Sequence, residues 1–293
     1  MILSPASPLP FAFWPSLLAV VAYLAASVWP TGASTPTASS TSPLDHARTI
    51  RGLLVVAWLA QGLAIVLDAL IFNGTLGGAR FGFAPALSVT TWLVLVVYAL
   101  ENRQVGLPGV RRALALLAAF TVAMAWLFPG RAHALHPASW APLHWLLGFA
   151  SYGLFGAALL HAALLRHAER QMRARSGASG QIPAPRPVGE ALGMPLLRLE
   201  RLTLKFVSAG FVMLTLTLLL GFWITTPWRW DHKSVFSVLA WLVFATLLIG
   251  RARFGWRGRQ AIRWLVAGST LLLLAYVGSR FVLEVVLHRP ATA

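Results

Sequence analysis

Long apolar runs alternate with short polar stretches along the whole chain. A membrane-spanning helix needs about 20 consecutive, mostly apolar residues. Eight runs approach or meet that length: residues 11–29, 50–72, 84–101, 111–129, 140–165, 205–225, 234–250 and 263–287. The pattern therefore predicts an all-α membrane protein, residues 1–293 forming one polytopic bundle of about eight transmembrane helices. Two polar segments interrupt it. Residues 31–47 are rich in Ser, Thr and Pro and read as a flexible linker. Residues 166–204 start with a basic run, contain Pro183, Pro185 and Pro187, and read as a basic loop with a short surface helix. No internal repeat is visible.

Composition agrees with this reading. Of 293 residues, 58% are hydrophobic and 11% charged, against roughly 25% charged in a soluble domain. Basic residues gather in cytoplasmic loops of membrane proteins, which accounts for the net charge of +16. With the N-terminus outside, the outer loops hold Arg80, Arg131, Arg229, Lys233, Arg280 and Arg289, leaving 18 of the 24 Lys and Arg residues inside. The bias predicts both termini outside and places the segment around Trp230 on the outer face. The chain has neither a soluble basic face nor a binding module for nucleic acid. The absence of cysteine excludes disulfides, thiol chemistry and covalent haem attachment. The first run has no basic flank and reads as a span, not a cleaved signal.

The turn Thr225–Ser234 between two apolar runs carries Trp228, Arg229, Trp230, Asp231, His232 and Lys233. Two indoles beside a carboxylate and cations at a membrane surface suit a flat, apolar anion, and haem is the ligand this suggests. Trp228 and Trp230 would stack on it, Lys233 would meet propionates, and Asp231 would shape the loop. Each has a plainer role: tryptophan anchors interfaces, and Asp is a favoured helix N-cap. His144 starts the fifth run and His288 ends the eighth, at the depth of the tryptophan turn. Two such imidazoles could supply both axial ligands of a haem iron; their plainer roles are an interfacial polar residue and a tail residue. His161 follows His144 by 17 residues, about 25 Å along a helix, too far to share a ligand. His133 and His136 make only a weak metal pair, with Pro137 beside them. Arg280 and Glu284 stand four apart and pair on one helical face; a propionate clamp by Arg280 is the less favoured reading.

These residues resemble the cytochrome c assembly family, the tryptophan-rich haem-handling membrane proteins of the CcsA, CcmC and HemX type. His144-Trp145 followed by Ser151-Tyr152 is similar to the family span that opens on a histidine. Trp230-Asp231-His232-Lys233-Ser234 is similar to the family's Trp-Asp-Pro-Lys-Glu, with His232 and Ser234 as departures. Trp241, Arg251, Trp256-Arg257-Gly258, Gly278 and His288 follow at matching places. The resemblance is specific over 144–290. Ile249 stands where the synthases of the family carry one of two further in-membrane histidines, and residues 47–132 contain none.

The resemblance implies a small, HemX-like, multi-pass protein of the bacterial inner membrane, not itself a synthase or an enzyme. It implies non-covalent haem b held at the outer face by His144 and His288, with Trp228, Trp230, Asp231 and Lys233 around it. Other cytochrome c maturation proteins and the lipid bilayer would be its partners. The rival reading is a regulatory or scaffold protein of the same pathway, docking through the basic loop and holding no haem. A transporter of another amphipathic anion would show broken spans in matched halves, whereas Gly and Pro here cluster mainly in loops.

Overall fold

A bilayer offers no water to free backbone N–H and C=O groups, so each apolar run must satisfy its own as a helix. The computed structural model describes residues 12–29, 43–72, 75–76, 78–101, 108–134, 140–177, 196–224, 230–282 and 285. Its helices are α1 (Phe13–Val28), α2 (Pro43–Leu70), α3 (Phe83–Glu101), α4 (Pro108–Leu127), α5 (Ala141–Gly177), α6 (Leu196–Ile224), α7 (His232–Phe254) and α8 (Gly258–Leu273). A π turn, Leu274–Gly278, and the short α9, Ser279–Phe281, prolong α8. Among the described residues, seven helices are long and apolar enough to cross a membrane; α1, with 16 residues, is the shorter apolar one.

Four short strands add a feature the hydropathy pattern does not predict. β1 (Ile71–Phe72) pairs antiparallel with β2 (Thr75–Leu76), and β3 (Gly78–Phe81) with β4 (Arg131–Ala134). They lie between spans and leave the bundle helical. The two polar segments are also shorter than composition suggests. Helix α2 already begins at Pro43, a residue suited to a first helical position. Helix α5 runs on to Gly177 and α6 starts at Leu196, because buried Leu164, Leu165, Ala168, Leu199 and Thr203 carry the packed stripe past the apolar run.

The chain folds as two compact units, residues 1–92 with 108–137 and residues 93–107 with 138–293. In the first, α1 packs on α2 and α4. The meeting faces hold small buried residues, among them Ala19, Ala22, Ala26, Ala57, Ala115 and Ala118, which allow the close backbone approach that drives association in lipid. Polar side chains tie these helices further. The Tyr23 hydroxyl donates to Gln61 Oε1 at 2.8 Å, and Gln61 Nε2 donates to the Ser88 carbonyl and Oγ, both at 3.1 Å. Trp58 and Trp92 stack at 4.7 Å, and each indole donates to the other residue's carbonyl.

In the second unit α5 lies along α6 over most of its length, and α7 and α8 form a hairpin through residues 255–257. The core gathers Phe155, Val207, Leu214, Phe244, Leu247 and Leu265. Phe155 stacks on Phe244 with ring centres 3.8 Å apart, and the Tyr152 hydroxyl donates to the Leu272 carbonyl.

Candidate functional site

His144 occupies the first turn of α5. Its imidazole reaches α6, where the main chain of Thr217 borders it and Gly221 makes room for it. A Cβ on Gly221 would stand 2.9 Å from His144 Cε1. Nδ1 is buried, and the Thr217 main chain is its polar neighbour, at a geometry outside the ordinary hydrogen-bond range. At the start of α7, Asp231 caps the helix: its Oδ1 accepts from the Ser234 amide at 2.8 Å and from Ser234 Oγ at 2.7 Å. Partial burial acts to raise the Asp231 pKa, but the two Ser234 hydrogen bonds and the nearby Lys233 and His232 charges outweigh it, and the carboxyl lies below its ordinary range. Lys233 interacts electrostatically with Asp231, with His144 and with Arg280. Trp230 is 71% exposed and Trp223, at the end of α6, 82% exposed.

The structure thus brings His144, Asp231, Lys233 and Trp230 to the end of the second unit where α5 and α7 begin. Trp228 and His288 lie outside the described residues, as do Arg229, Glu284 and His136. His161 is buried further along the continuous α5, with Nδ1 2.7 Å from the Ala157 carbonyl, and is not brought to His144. His133 sits in β4 opposite Ala79, and the described residues contain no group of three His, Cys, Asp or Glu placed to hold a metal ion. The other motif residues are structural. Trp241 Nε1 donates to Thr215 Oγ1 at 2.9 Å. At the opposite end, Arg251 pairs with Glu200 at 2.9 Å and donates to the Trp256 carbonyl, while Arg257 approaches Glu200 at 3.5 Å.

Sequence reasoning misses Gly221, whose only signal is a lone small residue in a Leu-rich helix. It also misses the π turn below Arg280, for which no sequence signal stands out.

An imidazole, a lysine and exposed indoles stand at one end of the second unit, among helices of membrane length, and the chain is a membrane protein. The profile of the family described as "Cytochrome C assembly protein" matches residues 70–287, and the chain belongs to that family. It is 40% identical over 95 residues to Inner membrane protein YpjD of Escherichia coli (strain K12), 31% of this chain and 36% of that protein. It is 25% identical over 222 residues to a Cytochrome c biogenesis protein CcsA of Prochlorococcus marinus, 67% of this chain and 70% of that protein. A CcsA of Parasynechococcus marenigrum is 30% identical over 157 residues, 48% of this chain and 52% of that one. The match spans about a third of the YpjD chain and about half to two thirds of the CcsA chains. No solved structure matches the chain. Its kinship and its seven membrane-length helices make it a multi-pass inner-membrane protein.

Proposed function

We propose that the chain binds haem non-covalently at the outer face of the membrane and presents it during cytochrome c assembly or haem transfer, making no covalent bond itself. The observation that carries this reading is the placement of His144. In a chain of the cytochrome c assembly family, its buried Nδ1 lacks a hydrogen bond of ordinary geometry, at the same end of the unit as Trp230 and Lys233. The residues fit the group. His144 would supply one axial nitrogen, with His288 as the second candidate, and Trp230, with Trp228, would offer aromatic surface. Lys233 would meet a propionate, and Asp231 holds the start of α7 in place. Bound haem would supply an iron centre whose behaviour follows its axial ligands and their surroundings. The bias of Lys and Arg toward the other loops supports the outer assignment.

The test is the absorption spectrum of the detergent-purified protein, wild type beside His144→Ala and His288→Ala. A Soret band with sharp reduced α and β bands, shifted or lost in both variants, supports a bis-histidine site. A wild-type protein that stays colourless after haemin is supplied sinks the reading and favours a scaffold role, with the basic segment after α5 as the docking surface.

A further inference from the structure

We propose that a cleft at the far end of the second unit from His144, between the α5–α6 pair and the α7–α8 pair, seats an anionic phospholipid. Its phosphate would lie on the arginines of the α7–α8 turn and the start of an acyl chain between the helices. This site is separate from the haem-binding reading and does not depend on it.

The cleft follows from how the two helical pairs meet. Midway along, they are fastened by large groups. Phe155 of α5 stacks on Phe244 of α7, Trp241 donates to Thr215, and Phe244 lies against Gly268. Toward the end where α5 and α7 finish, the facing side chains include Ala162, Thr203 and Ala261, too small to fill the gap, and a cleft opens between the pairs. Leu165, Val207, Leu247 and Leu265 give it apolar walls. It runs from Glu200 to Val207 on α6 and from Gly258 to Leu265 on α8, a length of roughly 10 Å at the rise of a helix.

Its mouth is charged. Glu200 of α6 reaches across to Arg251 of α7 at 2.9 Å and to Arg257 in the turn at 3.5 Å. One carboxylate therefore faces two guanidinium groups, and one positive charge is left over. Arg251 is also held by the Trp256 carbonyl, and its side chain is only 20% exposed. The Arg257 side chain is 68% exposed and is the one placed to turn to a second anion. Arg253 and Arg259 stand exposed on either side of the turn. The chain has no acidic residue between Asp231 and Glu284 to offset them. Trp256 lines the cleft and stacks on Trp264 with ring centres 5.5 Å apart, which sets an indole at the level where headgroups meet acyl chains.

Orientation in the membrane accounts for cations in the flanking turns. It does not account for an apolar cleft beneath them, or for an acid that draws two arginines across its mouth. A phosphodiester has the charge and the oxygens that a guanidinium fork reads, and basic pockets between spans suit anionic headgroups. A zwitterionic lipid offers the same chain and phosphate, but its ammonium meets the surplus of arginines. The site therefore favours the anionic headgroup.

The test uses the full chain in non-ionic detergent and native mass spectrometry, with phosphatidylglycerol and phosphatidylcholine of identical acyl chains as probes. Wild type should bind phosphatidylglycerol about tenfold more tightly, and Arg257→Gln should lose about fivefold of that, the worth of one arginine at a lipid surface. Glu200→Gln removes the competing carboxylate and should bind phosphatidylglycerol about fivefold more tightly, whereas a bridge that only joins helices predicts weaker binding. Ala261→Leu keeps every charge, fills the cleft and should weaken phosphatidylglycerol at least as much as Arg257→Gln. The haemin spectrum should stay as in wild type in all three variants, so the two sites are read separately. Equal affinity of wild type for both lipids overturns the proposal, and this comparison needs no variant to fold. Full displacement of the lipid by glycerol 3-phosphate at the same concentration also overturns it, and assigns the arginines to a free phosphate. A loss in Arg257→Gln with none in Ala261→Leu overturns it as well, leaving a charged surface with no part for the cleft.

Discussion

Two polar side chains, Gln61 in the first unit and His144 in the second, are handled in opposite ways. In the first, Tyr23, Gln61 and Ser88 meet one another in a closed chain of hydrogen bonds, and Trp58 and Trp92 exchange indole donors with each other's carbonyls. Polarity consumed in this way fastens helices together where the hydrophobic effect gives no preference for helix over lipid. The second unit also ties spans with polar groups, Trp241 on Thr215 and Tyr152 on the Leu272 carbonyl, but at the start of α5 His144 is held by shape, against Gly221 and the main chain of Thr217. Its Nδ1 is buried without a hydrogen bond of ordinary geometry. A buried polar atom without such a bond is costly, and under the haem-binding proposal the iron would supply the partner. A polar group inside the membrane thus indicates function only when its neighbours leave it capacity, and polarity alone does not separate the two cases.

The largest expected effect comes from breaking the closed network. Gln61→Leu removes three hydrogen bonds at once and strands the buried Tyr23 hydroxyl. Unfolding in detergent should become easier by about 2 kcal/mol, while the absorption spectrum of haemin-loaded protein stays as in wild type. An altered spectrum with unchanged stability would mean that the first unit takes part in ligand binding and that its polarity is not merely structural.

A matched pair of substitutions sharpens the contrast. Gly62 and Gly221 each give way to a ring from another helix. A Cβ would stand 3.0 Å from Trp92 Nε1 in one case and 2.9 Å from His144 Cε1 in the other. Alanine at either position should cost about 1 to 2 kcal/mol through overpacking. Only Gly221→Ala should shift the Soret band, because only there is the displaced ring the proposed ligand. The same shift in both variants, or in neither, would remove the special standing of the His144 contact.

Much of this architecture is legible in the residues themselves. Hydropathy marks all eight apolar helices, since a lipid-facing helix has to be apolar along most of its length. Helix ends read less well. The stretch after His161 stays helical through Gly177 because Leu164, Leu165 and Ala168 are buried by packing that no hydropathy window registers. The strands 71–81 and 131–134 are too short to show a periodicity, and β3 with β4 depends on partners about fifty residues apart. At the site, a histidine followed by Ser-Tyr and the Trp-Asp-x-Lys string mark His144, Trp230, Asp231 and Lys233. Arg280 reads from spacing alone as a partner of Glu284. The π turn Leu274–Gly278 that precedes it has no sequence signal.

The smallest effect tests whether the Asp231 motif residue serves the fold or the ligand. Two hydrogen bonds from Ser234 hold the carboxylate as an N-cap, a role worth about 1 kcal/mol. Asp231→Ala should lose that amount at neutral pH. The cap also has a predictable pH dependence. The folded-state pKa lies below the ordinary value, which is about 3.9 in an unfolded chain. The stabilisation is therefore complete above about pH 4 and fades as pH falls through the lower, folded-state pKa. Unfolding curves of wild type and Asp231→Ala should differ at pH 7 and draw together below about pH 4. Asp231→Asn should behave like wild type at low pH and retain part of the cap at pH 7, because its amide oxygen still accepts from the Ser234 amide. If Asp231→Asn instead matches wild type in stability at pH 7 but loses haemin, the carboxylate charge is read by the ligand site. Asp231 would then belong with Lys233 in the proposed site, its cap incidental.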